Sequence, residues 1–413
     1  MPFIIFVVSR LLLFLGAFIA QKTVPYLGFF PYKELLVEYH LPSWISACAN
    51  FDGIHYLLIA KQGYSQWEQA FFPLYPLLIK ALTFVIPNSL VAALFISNTS
   101  FAIGLIFFQK LLKRWGLQTN TLILFLLAFP TAFFFGIIYT ESLFFMLFIL
   151  SLYFLYKKKY WLAGICAAFS SATRLIGIFL IIPFFFHFIT DYKGTLKSFN
   201  ISALRFKPVL FSPLLGLFSY MFYLWRTTGD PLFFFNSQPL FGANRSTHLI
   251  FLPQVYYRYL KILFTASHNF QWYLSFFEVG IFSVVFIVLI LDLVKIVMNI
   301  SSFRPASGGE KSSERSERKN SNASLDFSIT SFFRNDRDVM NRLGLNIFSL
   351  INIILPTLTG TFSSIPRYTL FSFSFFLYLA QLKSRGIKIG IFVAFVTLQI
   401  ILFSLFIQGY FVG

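Results

Sequence analysis

A carboxylate in a short polar motif is the first feature of this chain with chemical reach. Asp52 stands in the run Asn50-Phe51-Asp52-Gly53-Ile54-His55-Tyr56, and no other acid occurs between Glu38 and Glu68. A carboxylate can take a proton from a hydroxyl, and His55 and Tyr56 can contact hydroxyl groups, although a Tyr at a membrane interface often serves only as an anchor. A lone acid in a loop is ordinarily just solvated, so Asp52 has to be weighed with the other charged residues. Glu141, in Tyr139-Thr140-Glu141-Ser142, either binds hydroxyl groups or caps the helix that starts at Ser142. Arg174, Arg245 and Arg367 can hold an anion, because the planar guanidinium pairs with two oxygens at once. Arg367 in Ile-Pro-Arg-Tyr and Arg174 at a hairpin turn have a second reading, in which they only snorkel to lipid headgroups. Arg245 in its polar loop is by itself simply solvated, and His187, among Phe residues, reads as structural.

The elements that must position these groups follow from composition. In 413 residues, 57% are hydrophobic, 12% are charged and the mean hydropathy is +0.75, so the chain belongs to the membrane class. Crossing about 30 Å of hydrocarbon takes roughly 20 apolar residues, and such runs recur along the whole chain. Candidate spans are 3–20, 89–108, 119–137, 142–156, 160–173, 175–190, 208–225, 273–298, 343–358, 368–382 and 387–408. The apolar stretch 71–87 has two prolines near its start and Pro87 at its end, and is expected to be a re-entrant or surface-lying helix. The result is a single all-α membrane domain, 1–413, of about eleven spans. The first run carries Arg10 in its middle and no charged segment before it, so it reads as a retained helix. The sixty Phe residues are expected to act mainly as lipid-facing filler.

Basic residues orient this arrangement, because cytoplasmic loops are enriched in Lys and Arg. With a cytoplasmic N-terminus, segments 109–118, 157–159, 190–207, 299–342 and 383–388 hold 21 basic residues, against 10 on the opposite face. Counting 71–87 as a span would move Lys110, Lys113, Arg114 and Lys157 to Lys159 outside. The net charge of +18 therefore reflects membrane topology and not nucleic-acid binding. The stretch 299–342, rich in Ser, Arg, Glu and Asn, is expected to be a flexible cytoplasmic loop. Loops 21–70 and 226–272 fall on the extracytoplasmic face and mix aromatic with polar residues beyond what a connector needs. Cys48 and Cys166 are the only cysteines, and no nucleotide-binding or zinc-ligand spacing occurs.

On these residues the chain resembles the PIG-V family, the GPI mannosyltransferase 2 group and its bacterial relatives, which are GT-C glycosyltransferases. The similarity lies in FDGIHYLLIAKQGY followed by AFFPLYPLL, then Tyr139 to Ser142, Ala172-Thr173-Arg174, Gly229-Asp230-Pro231-Leu232, Gln238 with Arg245, and Ser364-Ile365-Pro366-Arg367-Tyr368. These matches fall in the family order and on one side of a topology drawn from charge alone. Two departures stand out: Phe51 takes the place of a frequent Trp, and Gly53 follows Asp52 where several other GT-C families have a second acid. The latter rules out a paired-carboxylate scheme.

The resemblance implies a GT-C fold and a lipid-linked donor, polyprenyl-phosphate mannose. Its phosphate leaves as a stable anion, so one carboxylate is enough to deprotonate the acceptor hydroxyl. By the same resemblance Asp52 is the base, and His55, Tyr56, Glu141, Arg174, Gln238, Arg245, Arg367 and Tyr368 bind substrate. The acceptor is a glycan or glycolipid on the extracytoplasmic face of a plasma membrane or ER-like membrane. The scheme requires no cofactor and neither needs nor bars a divalent metal. The rival is a transporter or flippase of lipid-linked sugars. Such proteins place charges near the bilayer midplane and show internal repeats, whereas here the charges cluster at helix ends and no repeat is evident.

Overall fold

A computed structural model of the chain describes residues 2–27, 33–117, 119–193, 208–241, 246, 248–302 and 336–413. Among these residues every regular element is helical and no strand occurs. The longer helices are α1 (Pro2–Thr23), α2 (Asp52–Gln62), α3 (Leu74–Leu82), α4 (Ser89–Arg114), α5 (Thr119–Ala128), α6 (Glu141–Tyr156) and α7 (Tyr160–Thr173). They continue with α8 (Ile181–Lys193), α9 (Ser212–Thr228), α10 (Leu252–Thr265), α11 (Phe270–Ser302), α12 (Asp336–Thr357), α13 (Phe373–Ala380) and α14 (Arg385–Ile407).

Six of them, α1, α4, α9 together with the 3₁₀ turn Pro208–Phe211 that leads into it, α11, α12 and α14, are long and apolar enough to cross a bilayer. This is an integral membrane protein. The other five expected spans contain shorter helices, for identifiable reasons. The run 119–137 stops being α-helical at Ala128 because Pro130 disfavours helix in the residue before it, and a 3₁₀ turn follows at Ala132–Phe135. Arg174, in extended conformation, breaks α7 from the 3₁₀ turn Leu175–Leu180 that leads into α8. The run 368–382 is a succession of short turns ending in the eight-residue α13.

The stretch 71–87 contains only the nine residues of α3, about 14 Å of helix, which is too short to span. Pro76 lies in the first turn, where its missing N–H is no loss. Tyr75 anchors α3 inward through its hydroxyl, 2.7 Å from Ser97 Oγ, while Phe84 and Val85 beyond the helix end stay exposed.

The expectation for phenylalanine is corrected. Phe101, Phe108, Phe129, Phe133, Phe134, Phe135, Phe144, Phe145 and Phe148 are fully buried and form the centre of the core. Their rings meet in stacked and edge-to-face pairs, such as Phe101 with Phe135 at 4.3 Å and Phe144 with Phe371 at 4.7 Å. Helices too short to interlock along their length are filled between by large rings, a role that composition could not separate from lipid contact.

The core orders the helices around the polar loops. Helices α4, α6, α7 and α9 pack in succession, α8 and α11 lie against α12, and α14 packs on α1. Gly216 on α9 permits the close approach to α7, since a Cβ there would fall 2.1 Å from the Ala168 carbonyl oxygen. The two long loops are substantially structured: 21–70 contains α2, and 226–272 contains α10. Most of the stretch 299–342, residues 303–335, lies outside the described residues.

Candidate active site

Asp52 is set by a tight bend in front of α2. Phe51 has φ 59° and ψ −118°, a conformation that a bulky L residue adopts only at a cost. Its ring is held between Phe406 at 5.6 Å and Phe411 at 5.3 Å. Asn50 fastens the bend from behind, donating its side-chain amide to the Phe406 carbonyl at 2.9 Å. Tyr139 closes it from the front: its hydroxyl donates to the Asn50 carbonyl at 3.1 Å and accepts the Asp52 N–H at 3.3 Å. Gly53 has a packing reason, because a Cβ there would sit 3.1 Å from the Ile138 carbonyl oxygen. A side chain at that position would have to push this backbone back by a few tenths of an ångström.

Arg367 arrives from a similar device. Ser364 has φ 67°, and the helical turn Ile365–Tyr368 follows it, with Thr131 donating its hydroxyl to the Pro366 carbonyl at 2.7 Å. The guanidinium reaches Asp52, with Nη1 2.8 Å from Oδ2, across 315 residues of sequence. Its Nε lies 3.3 Å from Glu141 Oε1. Burial works against the charge on Arg367, yet Asp52 and then Glu141 outweigh it and hold the group well above its ordinary pKa. Glu141, the first residue of α6, is fully buried and also pairs with Arg174, whose Nη1 lies 3.2 Å from Thr140 Oγ1. Arg174 stacks over the rings of Tyr368 and Phe371, and Arg367 over those of Phe134 and Tyr139.

Two carboxylates and two guanidiniums thus form one alternating, charge-balanced cluster. Three readings change with it. Arg174 and Arg367 do not snorkel, because Arg367 is buried and Arg174 nearly so, each against acids. Glu141 is more than a helix cap. Gly53 excludes a second acid only beside Asp52 in sequence, since folding brings Glu141 to the guanidinium that Asp52 contacts.

The cluster forms one wall of a cavity of about 1640 Å³. Asp52, His55, Tyr56, Glu141, Arg174, Gln238, Arg367 and Tyr368 all line it, although they come from five segments of the chain. Tyr56 is largely buried, edge-on to Phe71 and Tyr75, and Gln238 donates to the Phe234 carbonyl at 3.4 Å. Arg245 lies outside the described residues. Among the described residues no three His, Cys, Asp or Glu side chains converge as a metal-ligand set.

Sequence reasoning missed two acids in the same cavity, Glu68 and Glu278. Glu68 is 3.0 Å from His55 Nδ1 through Oε1. Glu278 accepts the Tyr259 hydroxyl at 2.7 Å, and that hydroxyl also meets Thr361 Oγ1 at 3.0 Å. An acid five residues inside an apolar run was the available signal for Glu278. For Glu68 the signal was its place between the two halves of the FDGIHY and FFPLYP motif. Arg258 and Lys261 of α10 bring further positive charge to the cavity. No family model, curated protein or solved structure matches the chain.

Proposed function

We propose that this protein is an inverting mannosyltransferase with a GT-C architecture, similar to the PIG-V family. It moves mannose from polyprenyl-phosphate mannose to a glycan or glycolipid acceptor on the extracytoplasmic side of the membrane. The observation that carries this reading is the Asp52–Arg367 pair in the wall of a large cavity, with Arg174 and Glu141 immediately beside it.

The chemistry follows from charge balance. As the cluster stands, each guanidinium faces a carboxylate, so an incoming phosphate must compete for Arg367 and Arg174. When the donor phosphate takes Arg367, Asp52 loses its cationic partner and gains basicity toward the acceptor hydroxyl. The hydroxyl proton goes to Asp52, and the oxygen attacks the sugar anomeric carbon from the face opposite the phosphate. The bond from that carbon to the phosphate oxygen breaks, its electron pair leaving with the phosphate, whose charge the arginines stabilise. The base is thereby released only after the donor is seated.

The test is to incubate the purified protein in nanodiscs with polyprenyl-phosphate [¹⁴C]mannose and cell-envelope glycolipids. Label appearing on the glycolipid, with free polyprenyl phosphate released, is the expected result. In sealed proteoliposomes, movement of intact donor between leaflets without cleavage would replace this reading with the transporter one. Orientation is checked in a cysteine-free background: a cysteine at Ser65 should react with an impermeant thiol reagent on intact cells, and one at Ser313 should not.

A further inference from the structure

Beside Asp52 the cavity wall carries a second arrangement that the transfer scheme leaves unused. His55 stands three residues after Asp52 on α2, and therefore on the same helix face. Its Nδ1 lies 3.0 Å from Glu68 Oε1, while Glu68 Oε2 accepts the Ser65 N–H at 2.9 Å. The imidazole lies flat on Phe71, ring centres 5.1 Å apart and planes 17° from parallel. Glu68 is 5% exposed, and the backbone that delivers it passes through Trp67 at φ 74°. A buried acid, an unfavourable backbone angle and a stacking partner thus all fix one imidazole in the wall of the cavity.

This geometry selects a tautomer. A carboxylate oxygen facing Nδ1 accepts a hydrogen bond from it, so Nδ1 carries the proton, and in a neutral imidazole Nε2 is then the acceptor. A ligand group that meets an acceptor nitrogen must itself donate, and a hydroxyl does so. We propose that Glu68 holds His55 in the Nδ1–H tautomer so that Nε2 receives a hydroxyl of the sugar acceptor beside Asp52. His55 touches the substrate in this scheme, and Glu68 is a positioning residue that acts through it. The assignment of the hydroxyl to a transfer acceptor rests on the function proposed above, whereas the tautomer does not. The plainer reading is that the pair only staples the 63–73 loop to α2, and it predicts no ligand effect on Nε2.

The experiment uses the full chain in nanodiscs with [¹⁵N]histidine, the five histidine signals being assigned with His55→Gln. Nitrogen shifts should show His55 protonated at Nδ1, and adding octyl α-mannoside should move the Nε2 signal. Glu68→Gln should mix the two tautomers and raise KM for octyl α-mannoside about tenfold, the scale of one lost hydrogen bond, with donor affinity unchanged. Glu68→Asp should recover part of the loss, and Glu68→Gln should add nothing in a His55→Gln background. An Nε2–H tautomer in the wild type, a Nε2 signal that ignores the mannoside, or additive variants with unchanged KM would each overturn the proposal. The expected tautomer and shift in a protein that transfers mannose to nothing would retire the transferase reading and leave His55–Glu68 as a hydroxyl-binding site.

Discussion

Among the described residues acid–arginine clusters are buried in two places, and they are built alike but situated differently. Between α11 and α12, Asp292 pairs with Arg342, and its other oxygen accepts the Asn346 amide at 2.9 Å, an amide that also reaches the Leu289 carbonyl. Asp292 is 1% exposed, and none of the three lines the large cavity. Asp52, by contrast, keeps 27% of its side chain accessible from the cavity, beside a guanidinium that it shares with Glu141. Burying an ion pair is therefore not what marks a site. The closed cluster meets only protein partners, and its work is to join two helices. The open one has equally strong internal partners, but a ligand can reach them and compete.

The closed cluster should show the largest effect, and only in stability. Arg342→Ala leaves Asp292 charged and unpaired in the interior, at a cost of about 3–5 kcal/mol. Denaturant unfolding in detergent micelles measures this, and turnover per folded molecule should stay as in wild type. Replacing both Asp292 and Arg342 with Leu should recover most of the loss, because it removes the desolvation penalty with the pair. A loss of turnover without loss of stability would erase the distinction between the clusters.

The next effect belongs to the open cluster and should fall on rate. Asp52→Asn keeps the shape and removes the proposed base, so turnover should drop by at least about 100-fold while donor binding holds or tightens, because the phosphate no longer competes with a carboxylate for Arg367. Single-turnover assays with labelled donor separate the two, and near-normal transfer would end the assignment of Asp52 as base.

Arg367→Lys should have a smaller effect of the same kind. Lysine keeps the charge but offers a point contact in place of a planar fork, and a lost charged hydrogen bond is worth about 1.5–3 kcal/mol, roughly ten- to more than a hundredfold. Donor affinity and turnover should both fall in Lys and further in Ala. Full activity in Arg367→Ala would remove this residue from phosphate binding.

The smallest effect concerns how the open cluster is held. Phe411→Ala removes one of the two rings that clamp Phe51 in its costly backbone conformation. A single aromatic pair contributes about 0.5–1.5 kcal/mol. The melting temperature should fall by a few degrees and turnover severalfold, because the bend before Asp52 loosens. An unchanged rate would mean that Asn50 and Tyr139 alone suffice to place the carboxylate.

How much of this was legible without coordinates depended on whether the signal was local. Hydropathy accumulates over about twenty consecutive residues, so the membrane class, the all-helical architecture and the approximate positions of α1, α4, α9, α11, α12 and α14 could be read directly. The prolines around 71–87 announced a helix too short to span for the same reason. Asp52, His55, Glu141, Arg174 and Arg367 stood out because charge is rare in such a chain, and they do line one cavity. Their pairing was not legible. Arg367 finds Asp52 across 315 residues, and Arg174 finds Glu141 across 33, through turns at Phe51, Ser364 and Arg174 that no periodicity reveals. Nor could composition tell a phenylalanine in the core from one against lipid, since both environments are apolar. Residue types and local order were determined by the sequence. Which acid neutralises which arginine, and which of those pairs faces a cavity, was decided only by the packing of distant segments, because a charge in an apolar interior settles on whatever partner the fold brings within reach.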